Sequence, residues 1–219
     1  MFEAYNGAPA LKQYGREMAR KVIEGLTTRG MKGLYYESKN EATEAVLGMI
    51  PEGATVGFGG SVTLHSLGIY DGLLAGPYQV FNRQDPSLTK DVRLQVERSA
   101  LTADYFVSGT NAITLDGRLV NIDGHGNRVA ALLFGPKKVI IVCGVNKIVQ
   151  TLEEAIQRVR QVACPLNAIR LGVRARCVSD GSCSDCQGTQ RLCRLLTVIE
   201  GQDDPERITV VLVGECLGF

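Results

Sequence analysis

ATVGFGGSVTLHSLGIY, residues 54–70, decides the fold class. Ala54 to Phe58 is apolar with β-branched and aromatic members, reads as a buried strand, and runs into Gly59, Gly60 and Ser61. Thr63 to Tyr70 then carries a pattern compatible with a helix. Strand, glycine turn and helix in that order build a sheet covered by helices. Upstream, Leu11, Tyr14, Met18, Val22 and Leu26 recur at helical spacing, and Gly30 stands where a left-handed residue ends a helix. Gly33 to Tyr36 is a short strand. Ser38 and Glu41 then have capping-box spacing ahead of the helical stripe Ala42, Ala45, Val46, Met49 and Ile50, which Pro51 ends.

Downstream the alternation continues. Tyr78 to Phe81 reads as a strand, Leu88 to Ala100 as a helix, and Tyr105 to Ser108 as a strand that stops at Gly109. Asp116-Gly117, flanked by Ile113 and Leu115 on one side and Leu119 and Ile122 on the other, signals a β-hairpin inserted into the alternation. The run from Lys138 to Val142 has the continuous apolar character of a strand covered on both faces. Thr151 and Glu154 repeat the capping-box spacing before Leu152, Ala155, Ile156 and Val159, and Leu195 to Ile199 and Ile208 to Val213 supply two last strands around a polar turn. The expectation is one α/β domain over residues 1–219, a layered sheet with helices on both faces, carrying a hairpin insertion and a cysteine-rich loop.

Composition narrows the partners. With 24 basic and 23 acidic residues the net charge is +1, which gives no general attraction to nucleic acid or anionic lipid. No apolar stretch reaches the roughly 20 residues a membrane helix needs. The opening MFEAYNGAPALKQYGREMARK has no apolar run after a basic start, so a reducing, cytoplasmic setting is expected and lasting disulfides are disfavoured.

That setting gives weight to CVSDGSCSDCQGTQRLC, residues 177–193. Thiolates are soft-metal ligands, and Cys177, Cys183, Cys186 and Cys193 are four of them in one polar segment, suited to zinc or an iron-sulfur cluster. The spacing C-x5-C-x2-C-x6-C follows neither a zinc ribbon nor a ferredoxin run, so it does not name the metal. Cys164, before Pro165, is a candidate fifth thiol, Asp185 a candidate support, and Cys143 and Cys216 sit in apolar strands as inert residues.

Two further constellations carry polar chemistry. Gly57, Gly59, Gly60, Ser61 and Thr63 follow a strand, where backbone N–H groups can approach a carboxylate or phosphate, although a tight turn explains the glycines equally well. No Walker sequence or dinucleotide fingerprint is present, so no nucleotide cofactor is expected. The segment Ser108 to Arg128 interleaves Thr110, Asn111, Asp123, His125, Asn127 and Arg128 with glycines. Arg128 is suited to a two-pronged grip on a substrate carboxylate, with Asp123 or His125 to move a proton. The plainer alternative makes Asp123, Gly124 and Gly126 turn formers and leaves His125 and Arg128 solvated. His65, in the helix after the glycine turn, is more readily a surface residue than a ligand.

The runs GFGGSVTLHSLGI and SGTNAITLDGRLVNIDGHGNRVAALLFGPKKVIIVCGVNKIV, the cysteine segment and the closing VVLVGECLGF together resemble the lactate-utilization (LUD) domain family, formerly a domain of unknown function. The resemblance implies a fold like that of the sugar-phosphate isomerase and CoA-transferase superfamily. It also implies a place among systems that oxidise lactate to pyruvate beside iron-sulfur partner proteins, which tilts the cysteine quartet toward a cluster. His125 departs from the small polar residue expected in GHGNR, and GTNAI lacks the acidic nucleophile of a CoA transferase. Three functions follow as expectations. The first is a component of organic-acid oxidation, an oxidoreductase subunit that binds a small carboxylate between Gly59–Thr63 and Asn111–Arg128. The second is an isomerase- or ligase-like enzyme with a structural zinc. The third is a non-catalytic subunit that docks a partner through the metal loop. A homo-oligomer is a mild expectation from the apolar Val213, Leu217 and Phe219.

Overall fold

The computed structural model describes residues 9–188 and 191–219. Along the strand Lys138–Gly144, Val139, Ile141 and Cys143 join one buried cluster while Ile140 and Val142 join another. Successive side chains of a strand point to opposite faces, so this strand lies at the centre of a sheet with a core on each side. Around it six parallel strands are ordered β1-β10-β7-β4-β2-β3, with β1 Lys32–Tyr36, β2 Thr55–Phe58, β3 Gln79–Val80, β4 Tyr105–Gly109, β7 Lys138–Gly144 and β10 Ile208–Val213. A helix at Pro9–Thr28 (α1) covers one face, and helices at Lys39–Gly48, Val62–Ser66 and Ile69–Ala75 cover the other. Each fully buried Leu or Ile in these clusters contributes about 1.5–3 kcal/mol relative to exposure.

The Asp116-Gly117 hairpin forms, pairing β5 Ala112–Thr114 with β6 Leu119–Asp123, and Gly117 supplies φ 87 at the turn. It does more than interrupt the alternation. It seeds a second, mixed sheet ordered β8-β5-β6-β9, with β8 Ile148–Val149 and β9 Leu195–Ile199. The last two strands therefore do not pair with each other. β9 runs antiparallel to β6 in the small sheet, and β10 lies between β1 and β7 in the large one. A third, smaller core under the small sheet holds Ala112, Val120, Ile122, Ala155, Val159 and Cys164.

Two other expectations shift. The helix read over Thr63 to Tyr70 is broken at Gly68, whose φ of 68 starts a new helix at Ile69. Helix α1 buries Gly15, Ala19, Val22 and Leu26, while Leu11 and Tyr14 are exposed. Small residues face inward because the helix lies against the hairpin turn. A Cβ on Gly25 would fall 2.4 Å from the carbonyl carbon of Asp116. The Ser38–Glu41 capping box forms in full. At Thr151 only half of it does, because Glu154 accepts from the Gln150 N–H and not from its own cap. Among the described residues no helix is long and apolar enough to cross a membrane.

Candidate functional site

Strands β2, β4 and β7 are neighbours and parallel, so the turns after their carboxyl ends open side by side, where α/β sheets place ligands. A cavity of about 280 Å³ lies there. Its wall holds Gly60, Ser61 and Thr63 from the glycine turn and Thr110, Asn111, Asp123, His125, Asn127 and Arg128 from the hairpin segment. The two constellations, separated by some fifty residues of chain, are one site. Gly59 stands behind that wall, where a Cβ would lie 2.7 Å from Ser108 Oγ and 3.0 Å from Arg128 Cγ. His65 is exposed and away from the cavity.

The glycine turn is largely self-satisfied. The Gly59 N–H donates to Val107 O at 3.0 Å, and the Ser61 N–H donates to Tyr70 Oη at 2.7 Å, which donates in turn to Gly59 O at 2.6 Å. Ser61 Oγ caps Leu64 N–H of the short helix that follows. Gly60 faces the open side, where a Cβ would meet only Arg83 Nη1 at 3.4 Å.

Arg128 is buried and fully engaged. Its Nε donates to Asp123 Oδ1 at 2.9 Å, Nη1 donates to Asn121 Oδ1 and Gly109 O at 2.6 and 3.1 Å, and Nη2 donates to Asn111 Oδ1 and Ile122 O at 2.8 and 3.1 Å. All five guanidinium donors thus have acceptors within the chain. Asp123 is spoken for as well, pairing with Arg128 Nη2 at 2.7 Å and accepting from Val129 N–H at the start of the helix Asn127–Leu133. Together they tie the hairpin to that helix, and a carboxylate grip by Arg128 requires breaking bonds already made. His125 is exposed at the rim.

Lys147, which the sequence reading passed over, lies on the cavity wall and is 3% exposed. Its Nζ donates to Thr63 Oγ1 at 2.8 Å and to Thr110 O at 3.2 Å, and among the described residues it has no carboxylate partner. Burial lowers its pKa to about 8, opposed by the Cys143 thiol and aided by the guanidiniums of Arg158 and Arg128. Arg158 is half-buried and, among the described residues, has no carboxylate partner; its guanidinium donates to the carbonyls of Asn111 and Asn146, and burial lowers its pKa too. Across the mouth, Arg170 bonds only to the Asn167 amide oxygen, and Arg83 pairs with Glu97. Among the described side chains of the wall, Arg83, Arg128, Lys147 and Arg170 stand against one carboxylate, that of Asp123. The available signal was a lone lysine in VCGVNKIV, just past a buried strand.

Cys164 reaches the same cavity through a turn of π-helix at Val159–Ala163, which leads directly into the helix Cys164–Arg170. It hydrogen-bonds Cys193, and the sharing is uneven: Cys164 keeps its proton and is pushed up, while Cys193 is drawn toward thiolate, aided by Arg191. Cys177 is pushed up by burial and then by the charges of Cys186, Cys193 and Cys183. All seven cysteines are free of disulfides. Among the described residues, however, no three His, Cys, Asp or Glu side chains converge enough to hold a metal ion. Cys143 is fully buried, its thiol raised to about 11 by that burial, whereas Cys216 is half-buried.

The LUD domain matches residues 19–213. The chain belongs to the LUD-domain family. A DUF162 family protein from Deinococcus radiodurans is similar in structure, at 17% identity and a TM-score of 0.53, over 91% of this chain and 98% of that one. Weaker likenesses are eIF2B delta from Chaetomium thermophilum, at 16% identity and a TM-score of 0.35 over 54% of this chain and 50% of that one, and ribose 5 phosphate isomerase A from Neisseria gonorrhoeae, at 12% identity and 0.34 over 52% and 54%. Comparison with curated proteins yields no significant match. Membership of the LUD-domain family implies a role in lactate utilization.

Proposed function

We propose that this LUD-domain chain binds a small organic acid, of the lactate and pyruvate class, in the cavity at the carboxyl ends of β2, β4 and β7. The observation that carries the proposal is Lys147, a buried cation on the cavity wall with no carboxylate to balance it. A buried charge without a partner is costly, and a bound anion offsets that cost. Arg170 at the mouth adds to the attraction. Arg128 and Asp123 serve by holding Asn111 and the segment around Ile122 in place, and His125 stands exposed at the rim.

The cysteine loop is proposed as a soft-metal centre. Its donors are all thiols, Cys177 is pushed up by burial and then by the charges of Cys186, Cys193 and Cys183, and a cation would relieve that repulsion. Cys177, Cys183, Cys186 and Cys193 would hold the metal, the loop closing further to do so. An iron-sulfur cluster there would supply one-electron transfer, favoured by the family's role in lactate utilization; zinc would brace the loop.

Titration calorimetry tests the acid site, with lactate, pyruvate and inorganic phosphate as probes of the wild type and of Lys147→Met. Saturable binding of the carboxylates that the variant loses is the expected result, and absence of binding by all three overturns the proposal. Protein purified without oxygen should carry stoichiometric iron and acid-labile sulfide. Zinc alone removes the electron-transfer role, and no metal removes the centre.

A further inference from the structure

A lysine at the wall of a site for 2-oxo acids can meet two features of such a ligand, as an ammonium its anionic carboxylate and as a neutral amine its electrophilic carbonyl carbon. The surroundings of Lys147 suit the second. Two of its three N–H directions are taken, by Thr63 Oγ1 at 2.8 Å and Thr110 O at 3.2 Å, both from the turns that frame the cavity. Among the described residues no carboxylate forms an ion pair with it, and the cations Arg158 and Arg128 lie near, opposed by the Cys143 thiol. A hydroxyl in contact orients the amine. Thr63 Oγ1 accepts from Nζ and donates onward to Leu217 O at 3.3 Å.

We propose that Lys147 Nζ condenses with the carbonyl carbon of a small 2-oxo acid bound in the cavity, forming an imine. The proposal rests on the reading of the cavity as an organic-acid site and adds the covalent step. The neutral amine, its extra proton released to solvent in the open cavity, gives its lone pair to the carbonyl carbon. A C–N bond forms as the C=O π pair moves to oxygen, which is protonated. The resulting carbinolamine expels that hydroxyl as water, and C=N replaces C–O. Amine and ketone become imine and water, with no oxidant or reductant consumed. A pKa near 8 leaves a useful fraction of the amine neutral at physiological pH. A 2-hydroxy acid, with no carbonyl, can occupy the site but cannot react.

The test is reductive trapping. Full-length protein is incubated with pyruvate and cyanoborohydride, and its intact mass and peptides are analysed, with the exposed lysines as an internal control. The expected result is one adduct per chain, mapped to Lys147, faster than at any other lysine by tenfold or more, slowed by lactate, and lost in Lys147→Arg. Adducts spread evenly over the surface lysines overturn the proposal. So does pyruvate binding by calorimetry with Lys147 unmodified, and that result leaves the organic-acid site standing. No binding of pyruvate in any assay defeats the organic-acid site, and the imine with it. Because the peptide map is made on the wild type, the answer does not depend on a variant that folds.

Discussion

Replacing Lys147 with methionine should change the pH dependence of stability in a way only a buried amine produces. In the folded chain its pKa is lowered from 10.5 to about 8. Below pH 8 the lysine is charged in folded and unfolded states alike, so the full cost of burying the charge is present. Moving a pKa that far costs about 3 kcal/mol at 1.36 kcal/mol per pH unit. Between about pH 8 and 10.5 the unfolded chain binds the proton and the folded one does not, so stability rises with pH over that window. The wild type should therefore gain about 2.5 kcal/mol relative to Lys147→Met between pH 7 and pH 10. At pH 7 the variant should be of similar or greater stability, because relief of the buried charge offsets two lost hydrogen bonds of about 1 kcal/mol each. Urea unfolding of both proteins across that pH range measures this, and titration of groups that do not interact with Lys147 cancels in the difference. A difference that stays flat with pH would falsify the assignment of Lys147 as a buried, uncompensated amine.

Other expectations are independent of this one. Arg128→Lys should cost about 3 kcal/mol in urea unfolding and speed amide exchange across residues 111–123, since an ammonium cannot replace five fixed donors and leaves Asp123 poorly paired. A loss under about 1 kcal/mol would show that the network does not hold the hairpin. Gly25→Ala should lower stability by about 1–3 kcal/mol, despite alanine's better helix propensity, because its Cβ would sit 2.4 Å from backbone at Asp116. A rise in the thermal midpoint would contradict that packing. Cys183→Ser with Cys186→Ser should reduce bound metal at least tenfold, and Lys147→Met should leave it unchanged. Equal metal content in all three proteins would remove the loop from the centre.

Much of the scaffold was legible because it is locally encoded. Asp116-Gly117 needs only its own φ preferences to turn the chain, Ser38 and Glu41 cap their helix within one turn, and the apolar run before Gly144 marks a strand buried on both faces. The break at Gly68 was less legible, since the residues on either side of it keep helical spacing. The inward face of the first helix was misjudged for a related reason. Hydrophobicity favoured Leu11 and Tyr14, but the helix buries Gly15 and Ala19 in their place, Gly15 against Val145, while Gly25 meets the hairpin turn.

By itself the sequence determined an α/β sheet with a hairpin insertion, and two polar segments and a thiol-rich loop that stand out from the core. It did so because hydrogen-bonding turns, caps and side-chain alternation depend on residues close together in the chain. Only the tertiary structure decided that the glycine turn and the hairpin segment share one cavity, that Arg128 is saturated by its neighbours, and that Lys147 is buried on the cavity wall with no carboxylate partner among the described residues. Compensation of a charge depends on distance through space and on exclusion of water, and neither is written in the spacing of residues along the chain.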